Sequence, residues 1–447
     1  MATGVQKTAW QGNIIIAEIS DDFASVGLEA NLAYTGKGSK RTVLSSPPAH
    51  VEEIWRGTNA DNRLYFGDNF AILATLLSDP TVKGQVKLVY IDPPFATNKV
   101  YQSRTQADAY SDTLMGAHYV EFLRRRLILL HELLAADGSI YVHLDQTMVF
   151  HIKLIMDEVF GSDNFRGMIT RKKCNPKNYT RKTYGNISDH ILYYGKSEHV
   201  VWNRAYTPWN EDRVIEEYAY VEEGTGRRFK KVPVHAPGTR NGATGKPWRG
   251  VMPPPGKHWQ YPPEKLDELD VRGEIYWSPT GNPRRKVYLD QSEGIPVQDI
   301  WLDVKDAHNQ MIEITGYPTE KNPELLTRII QASSNENDLV LDCFSGSGTT
   351  LAVASRLKRR WIGIDNSSES IMTILKRFNS GLERMGDFVT SKKEGIVLPL
   401  FDLADSPPIP EPVPAQSAPE IEDFVLYSES GYTEDLHQIL KETAVIR

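Results

Sequence analysis

Cysteine is nearly missing from this 447-residue chain, which carries only Cys174 and Cys343. Two thiols cannot build a disulfide framework or a four-cysteine zinc site, and such scarcity fits a reducing interior. Long apolar runs are missing too. No stretch approaches the roughly 20 residues needed to cross a bilayer, and no basic segment followed by an apolar one opens the chain. A cytoplasmic protein without a membrane partner is expected. Histidine, cysteine and carboxylate residues show no metal-ligand spacing, so no metal is expected either.

A surplus of positive charge is also lacking overall, since the formal net charge is −7. Its distribution is uneven. Residues 166–290 hold 23 Lys+Arg against 14 Asp+Glu, so this segment carries +9 and the remainder −16. Affinity for a polyanion follows local charge. Arg171, Lys172, Lys173, Arg227, Arg228, Lys230, Lys231, Arg249, Arg284 and Arg285 are the candidate phosphate contacts within it. Five of the nine tryptophans (Trp202, Trp209, Trp248, Trp259 and Trp277) fall here as well. Basic residues interleaved with aromatics suit a nucleic-acid surface; a loop-rich inserted domain with a solvated basic face is the alternative.

Two stretches are rich in chemistry. Val86 to Ile91 is a short β-branched and aromatic run of the kind that forms a buried parallel strand. It delivers Asp92, Pro93, Pro94 and Phe95 to the strand's C-terminal tip, where open α/β sheets place their ligands. A carboxylate, a backbone turned by two prolines and an aromatic ring can hold a flat, amine-bearing group such as an extruded nucleobase. A plain proline turn after a strand-ending Asp is the simpler alternative. The second stretch follows a predicted strand over 338–342 and reads Cys343-Phe344-Ser345-Gly346-Ser347-Gly348-Thr349-Thr350. A helix over 351–360 and a strand ending in Asp365-Asn366 complete a βαβ nucleoside pocket. Gly346 and Gly348 permit close backbone approach, and Asp365 lies 23 residues beyond Asp342, where an acid meets ribose hydroxyls. A dinucleotide fingerprint wants a third small residue where Leu351 stands. A Walker loop needs a lysine after Gly348. With neither present, the pocket suits a phosphate-free nucleoside cofactor, S-adenosylmethionine, whose cationic charges give Asp342 a partner.

Between and around these stretches, strand and helix signals alternate, which predicts parallel strands with right-handed crossovers. A strand over 62–66 leads through Gly67-Asp68-Asn69 into a helix over 70–77, with Asp68 as a helix cap. Residues 96–112, with Lys99 and Arg104 as further candidate nucleic-acid contacts, read as a loop long enough to close over a site. A helix over 113–136, a turn at Asp137-Gly138, a strand over 139–145 and a helix over 147–160 follow, and His143 is read as structural. Asn13 to Ile16 is a possible strand within a poorly legible start. A proline-rich linker spans Pro407 to Pro414, and residues 434–441 form a short helix able to dock on a second copy, a partner, or nothing.

Taken together, Asp-Pro-Pro-Phe followed by the basic segment and then Phe-x-Gly-x-Gly resembles the amino-methyltransferases of DNA. The resemblance is to the adenine-specific enzymes with β-group motif order, specifically the modification subunits of type III restriction systems and their solitary relatives. It covers roughly residues 50–200 and 315–370. It implies a Rossmann-like α/β methyltransferase sheet, circularly permuted, with an inserted target-recognition region. The expected division is 1–50 as an N-terminal extension, 51–200 and 311–395 as the catalytic and cofactor halves, 201–310 as the insertion, 396–420 as linker and 421–447 as a C-terminal segment. Asp92 and the Pro93 carbonyl would accept the target amine's protons while Phe95 stacks on the flipped base. Asp68 would lie near the cofactor's adenine, and Thr319, Lys321 and Pro323 resemble the motif preceding the cofactor loop, although Asn322 interrupts it. The implied cofactor set is Asp68, Thr319, Lys321, Asp342, Phe344, Ser345, Gly346, Gly348, Thr349, Asp365 and Asn366. The implied partners are double-stranded DNA in a bacterial or archaeal cell, a second copy of the chain, and a restriction subunit. Methylation of cytosine N4 or of RNA adenine, and a non-catalytic nucleic-acid-binding subunit, are the alternatives.

Overall fold

The computed structural model describes residues 32–57, 60–94, 99–102, 108–112, 116–176, 182–307, 313–380, 383–384 and 424–443. A ten-stranded sheet dominates it. In chain order its strands are β1 (Val51–Arg56), β2 (Arg63–Phe66), β3 (Val86–Ile91), β4 (Leu134–Leu144), β5 (Phe165–Lys172), β6 (Ser188–Gly195), β7 (Ile300–Trp301), β8 (Leu339–Asp342), β9 (Arg360–Asp365) and β10 (Val425–Glu429). Their spatial order is β1-β10-β2-β9-β8-β3-β4-β6-β5-β7. Pairing is parallel from β10 across to β4 and antiparallel for β4–β6, β6–β5 and β1–β10. Chain order therefore reverses where β3 meets β8, strands separated by more than 240 residues of sequence. Ligands of open α/β sheets bind at such a crevice.

Helices cover both faces: α1 (Asn69–Leu76), α2 (Gly116–Leu133) and α3 (Val149–Phe160) pack against one, and α4 (Pro323–Ser333), α5 (Thr349–Arg356), α6 (Ser368–Ser380) and α7 (Thr433–Thr443) line the other. The two buried clusters they create are aliphatic and aromatic throughout, as a sheet covered on both sides requires. The 113–136 helix ends sooner than its periodicity predicts, at Leu133, because Leu134 already pairs with Val86. Asp137-Gly138 is not a free turn: it lies within β4 at a register irregularity. A Cβ on Gly138 would come within 2.7 Å of the Val86 carbonyl oxygen.

Three further expectations are corrected. Part of the 96–112 loop is ordered as two antiparallel strands, Lys99–Gln102 and Asp108–Asp112. The C-terminal segment has its expected helix, α7, but it also adds a strand to the chain's own sheet. β10 inserts between β1 and β2, Tyr427 stacks on Tyr65 at 4.8 Å, and Tyr432 of the following turn packs edge-on against Phe66. Finally, the insertion has its own fold: Tyr220–Val221, Arg228–Pro233, Pro283–Tyr288 and Ile275–Trp277 form an antiparallel four-stranded sheet. Beside it, Trp248 and Trp259 are buried with Val234, Leu266, Leu269 and Ile275. Those two tryptophans build a local core rather than a stacking surface. The possible strand at Asn13 to Ile16 and the linker from Pro407 to Pro414 lie outside the described residues.

Candidate active site

β3 and β8 run side by side, with Val89 opposite Leu341, so their C-terminal tips set Asp92 and Asp342 at the same end of the sheet. Pro93 and Pro94 follow Asp92 without regular structure, as expected where successive prolines remove backbone donors. After Asp342 the chain turns through Gly346 (φ +51°) and Gly348 (φ +72°) before α5 begins at Thr349. Both angles lie in the left-handed region that glycine tolerates best. Gly348 is constrained by space as well, since a Cβ there would approach Ile374 Cγ1 of α6 to 2.8 Å.

A cavity of about 560 Å³ opens over these tips. Of the sequence-predicted residues, Asp92, Pro93, Pro94, Asp68, Thr319, Lys321, Asp342, Phe344, Ser345, Gly346, Thr349, Asp365 and Asn366 all line it. Gly348 shapes the same loop from behind. Phe95 lies outside the described residues. The size falls within the range of small-molecule sites.

Electrostatically the cavity is acidic at its base. Asp342 is buried, its Oδ1 accepts from the Phe344 amide at 3.0 Å, and its carboxyl is pushed up to about 7. Burial is the main cause, opposed by hydrogen bonds from Thr350 and Phe344 and reinforced by the charges of Asp92 and Asp365. Asp365 is raised as well, again by burial, although its Oδ2 accepts from the Gly346 amide at 2.8 Å and its Oδ1 from the Ser367 amide at 2.9 Å. Asp365 thereby braces the glycine loop from the neighbouring strand. Carboxylates held at the edge of neutralisation gain most from a cationic ligand.

Asp68 caps α1, accepting from Phe70 N at 2.6 Å, and also faces the cavity. Asn69 ties α1 to the cofactor loop by donating to the Cys343 carbonyl at 2.6 Å. Lys321 sits closer to Asp92 than its motif implies: its ammonium is ion-paired with Asp92 Oδ2. Thr319 adopts φ +59°, a left-handed conformation costly for a β-branched residue, at the cavity rim. Asn322, the residue that interrupts the motif, has a local purpose. Its side chain caps α4, accepting from Glu324 N at 2.9 Å.

Sequence reasoning missed Asn69, Tyr90, Phe122, Arg126, Tyr317 and Glu320 as lining residues. Phe122 and Arg126 stand four residues apart on the buried side of α2, with the guanidinium 3.6 Å from the ring centroid. Arg126 is 5% exposed, bonds to Asn69, and is lowered to about 10 by burial. A lone arginine on an otherwise apolar helix stripe was the available signal.

The predicted nucleic-acid contacts divide. Arg171 is a correction: it is 1% exposed, paired with Asp189 at 2.7 and 3.0 Å and with Asp306 at 2.6 Å, so it cannot meet phosphate. Other members face carboxylates of their own domain: Arg227 with Asp290, Lys230 with Glu217, Arg249 with Asp267 and Asp270, and Arg285 with Glu274. Lys231 lies between the rings of Tyr220 and Tyr276 at 3.6 and 3.5 Å. Arg228 and Arg284 are exposed, and Lys172 and Lys173 are half-buried. Lys99 belongs to the Lys99–Gln102 strand, and Arg104 lies outside the described residues. His143, read from the sequence as structural, is fully buried.

The chain is similar to known proteins over most of its length. A family model described as DNA methylase, of the N6/N4 methyltransferases, matches residues 86–376. The type II methyltransferase M.EcaI of Enterobacter cloacae is 43% identical over 408 residues, 90% of each chain. The StyLTI Mod subunit of a type III restriction-modification enzyme from Salmonella typhimurium is 25% identical over 70% of this chain, which spans 52% of that protein's length. Among solved structures, the complex of M1.HpyAVI with SAM superposes with a TM-score of 0.38 at 20% identity, covering 71% of this chain and 98% of that one. The resemblance to modification subunits thus holds, and it extends to type II enzymes at higher identity. The chain belongs to the N6/N4 DNA methylase family, DNA methyltransferases whose methyl donor is S-adenosylmethionine.

Proposed function

We propose that this protein methylates the exocyclic N6 amine of adenine within a specific sequence of double-stranded DNA. The observation that carries the reading is the shared cavity: Asp92 and Pro93, at the tip of β3, face the same space as Asp342 and the glycine loop on adjacent β8. S-adenosylmethionine, when bound, supplies an electrophilic methyl group on a sulfonium. The residues fit it, because the loop offers close backbone approach at Gly346 and the cavity base offers buried carboxylates to its positive charge.

Asp92 would accept one proton of the target amine and the Pro93 carbonyl the other. Two acceptors hold the nitrogen, favour a more tetrahedral geometry and aim its lone pair along the methyl-transfer line. Catalysis is then positioning plus charge stabilisation, with no covalent enzyme intermediate. Lys321 must release Asp92 Oδ2 before an amine can take its place. Phe95 is proposed as the stacking surface for the flipped base, a contact worth roughly 1–3 kcal/mol that offsets part of the cost of unstacking.

The insertion, residues 201–310, is proposed as the target-recognition region, with Arg228, Arg284 and Lys231 as its phosphate contacts. Residues 51–200 and 311–395 would be the two halves of the methyltransferase. A homodimer is proposed as the assembly, and a restriction subunit as a further partner, in keeping with the names of the type III relatives. The test is product identity. Unmodified plasmid DNA is incubated with the protein and tritiated methyl donor, then digested to nucleosides and separated. Label in N6-methyldeoxyadenosine supports the proposal; label in N4-methyldeoxycytidine, or label in RNA but not DNA, refutes it.

A further inference from the structure

Beneath Asp92 lies a buried polar chain that its role as an amine acceptor does not require. His143 on β4 is 0% exposed. Its Nε2 stands 2.9 Å from Asp189 Oδ2 on β6, its Nδ1 2.8 Å from the Tyr90 hydroxyl on β3, and the same Nδ1 is 3.9 Å from Asp92 Oδ1. Asp189 is in turn clasped by Arg171 of β5, which reaches on to Asp306. Asp92 Oδ1 is itself buried and has no hydrogen-bond partner among the described residues. A buried acceptor left without a donor costs free energy, so such an oxygen invites a functional explanation.

Charge points the same way. The chain holds three carboxylates, Asp92, Asp189 and Asp306, against two fixed cations, Lys321 and Arg171. With His143 neutral the cluster is one positive charge short, so it accommodates the proton that the reaction delivers to His143. Of the titratable neighbours, Asp342 beside Asp92 is pushed up to about 7, so only a change that follows a His143 substitution isolates the imidazole. Tyr90 is raised far above the usual phenol range by burial, and His190, on the strand beside His143, is lowered by burial. Asp189 stays a carboxylate: burial opposes its ionisation, but hydrogen bonds from His143 and Arg171, the guanidinium charge, and that of His143 once protonated more than offset it and hold it far below the usual range. Its ionised oxygen assigns the proton of neutral His143 to Nε2, which leaves the Nδ1 lone pair facing Tyr90 and Asp92.

We propose that His143 is the proton store of the reaction, a positioning residue that acts through Asp92 and rests on the methyltransferase reading above. The balance is as follows. Methyl transfer forms the nitrogen–carbon bond as the sulfur–carbon bond breaks, leaving an uncharged thioether and a positively charged nitrogen that carries two protons. One proton passes to the Asp92 carboxylate, and the nitrogen regains its lone pair. The carboxyl group of Asp92 then turns about its Cβ–Cγ bond, carrying the proton from the cavity-side oxygen to the side facing His143, and passes it to Nδ1, which lies 3.9 Å from that side and comes into hydrogen-bond range with a movement of about one ångström. The Tyr90 hydroxyl rotates to accept from the new Nδ1–H. Asp92 is thereby a carboxylate again and Asp189 faces the imidazolium; after the product leaves, His143 returns the proton through Asp92, which lines the open cavity, to water, and the ion pair with Lys321 re-forms. If His143 is already protonated its charge weakens Asp92 as an acceptor, so turnover falls on the acid side.

The experiment compares the full-length wild type with His143→Asn, using unmodified plasmid DNA and tritiated S-adenosylmethionine from pH 5.5 to 9. Wild-type kcat should rise with pH along an acid limb. His143→Asn should lose that limb and fall roughly 100-fold on the plateau, the low end of what a positioned proton acceptor contributes. Its KM for DNA and Kd for S-adenosylmethionine should stay within about twofold, because His143 touches neither. A variant that keeps the wild-type kcat and pH profile overturns the inference while leaving the methyltransferase reading standing. A wild type that transfers no methyl group overturns both. Where His143→Asn does not fold, Asp342→Asn is compared with wild type: a kcat flat across the range, or an acid limb that disappears with Asp342, overturns the proposal, and an acid limb that persists in Asp342→Asn supports it.

Discussion

Asp342→Asn separates the cost of the cofactor site from its benefit. Asp342 is fully buried at the tip of β8, and its carboxyl is pushed up to about 7 from an ordinary value of 3.8. A carboxyl raised on folding lends stability that is complete below its unfolded value and is lost as pH climbs through its folded one. For the cofactor-free protein the window runs from about pH 4 to about pH 7, and a shift of that size corresponds to about 4 kcal/mol. Asparagine keeps the shape and an acceptor for the Phe344 amide but cannot ionise. The variant should therefore show a smaller drop in unfolding free energy between pH 5 and pH 8, read from urea denaturation. Binding should reveal the other side. A cationic ligand pulls Asp342 into its charged form, so at pH 6.5 wild-type S-adenosylmethionine binding should release a fraction of a proton, measured by titration calorimetry in buffers of different ionisation enthalpy. Asp342→Asn should release less and bind more weakly. Equal pH dependence of stability and equal proton release in the two proteins would refute the reasoning.

Arg171→Ala should destabilise the fold by roughly 3–5 kcal/mol, because it strands Asp189 and leaves Asp306 without its guanidinium, while the salt dependence of DNA binding stays unchanged. A shallower salt slope in a stably folded variant would return Arg171 to the DNA surface. Replacing Arg228 and Arg284 with glutamate should do the reverse, preserving the melting temperature and lowering the slope of log K against log salt by about one per lost phosphate contact. A filter-binding series in salt checks both.

Much of the site could be read before any coordinates, because it is built from short local signals. β3 has the bounds its apolar run predicts, and the glycine positions of the cofactor loop carry the positive φ their spacing demanded. What escaped notice was tertiary. Nothing around Arg171 distinguishes it from Lys172 or Lys173 until β6 brings Asp189 beside it. Trp248 and Trp259 read as surface aromatics because periodicity fades in the insertion, where a small core of scattered residues leaves no repeating pattern. β10 was invisible as a sheet strand because its neighbours β1 and β2 lie more than 350 residues earlier. The role proposed for His143 was likewise hidden: its partners come from three other positions along the chain, Tyr90, Asp92 and Asp189.

Asp92 stands at the centre of the account, and one paired measurement tests it most directly. Methyl transfer to unmodified DNA is followed for wild type and Asp92→Ala under saturating S-adenosylmethionine, with cofactor affinity measured on the same preparations. Wild type should transfer label to DNA. Asp92→Ala should bind the cofactor within severalfold of wild type and transfer none above background, since it removes the proposed acceptor of the target amine while the Gly346–Gly348 loop remains. Comparable turnover in the variant would contradict the account.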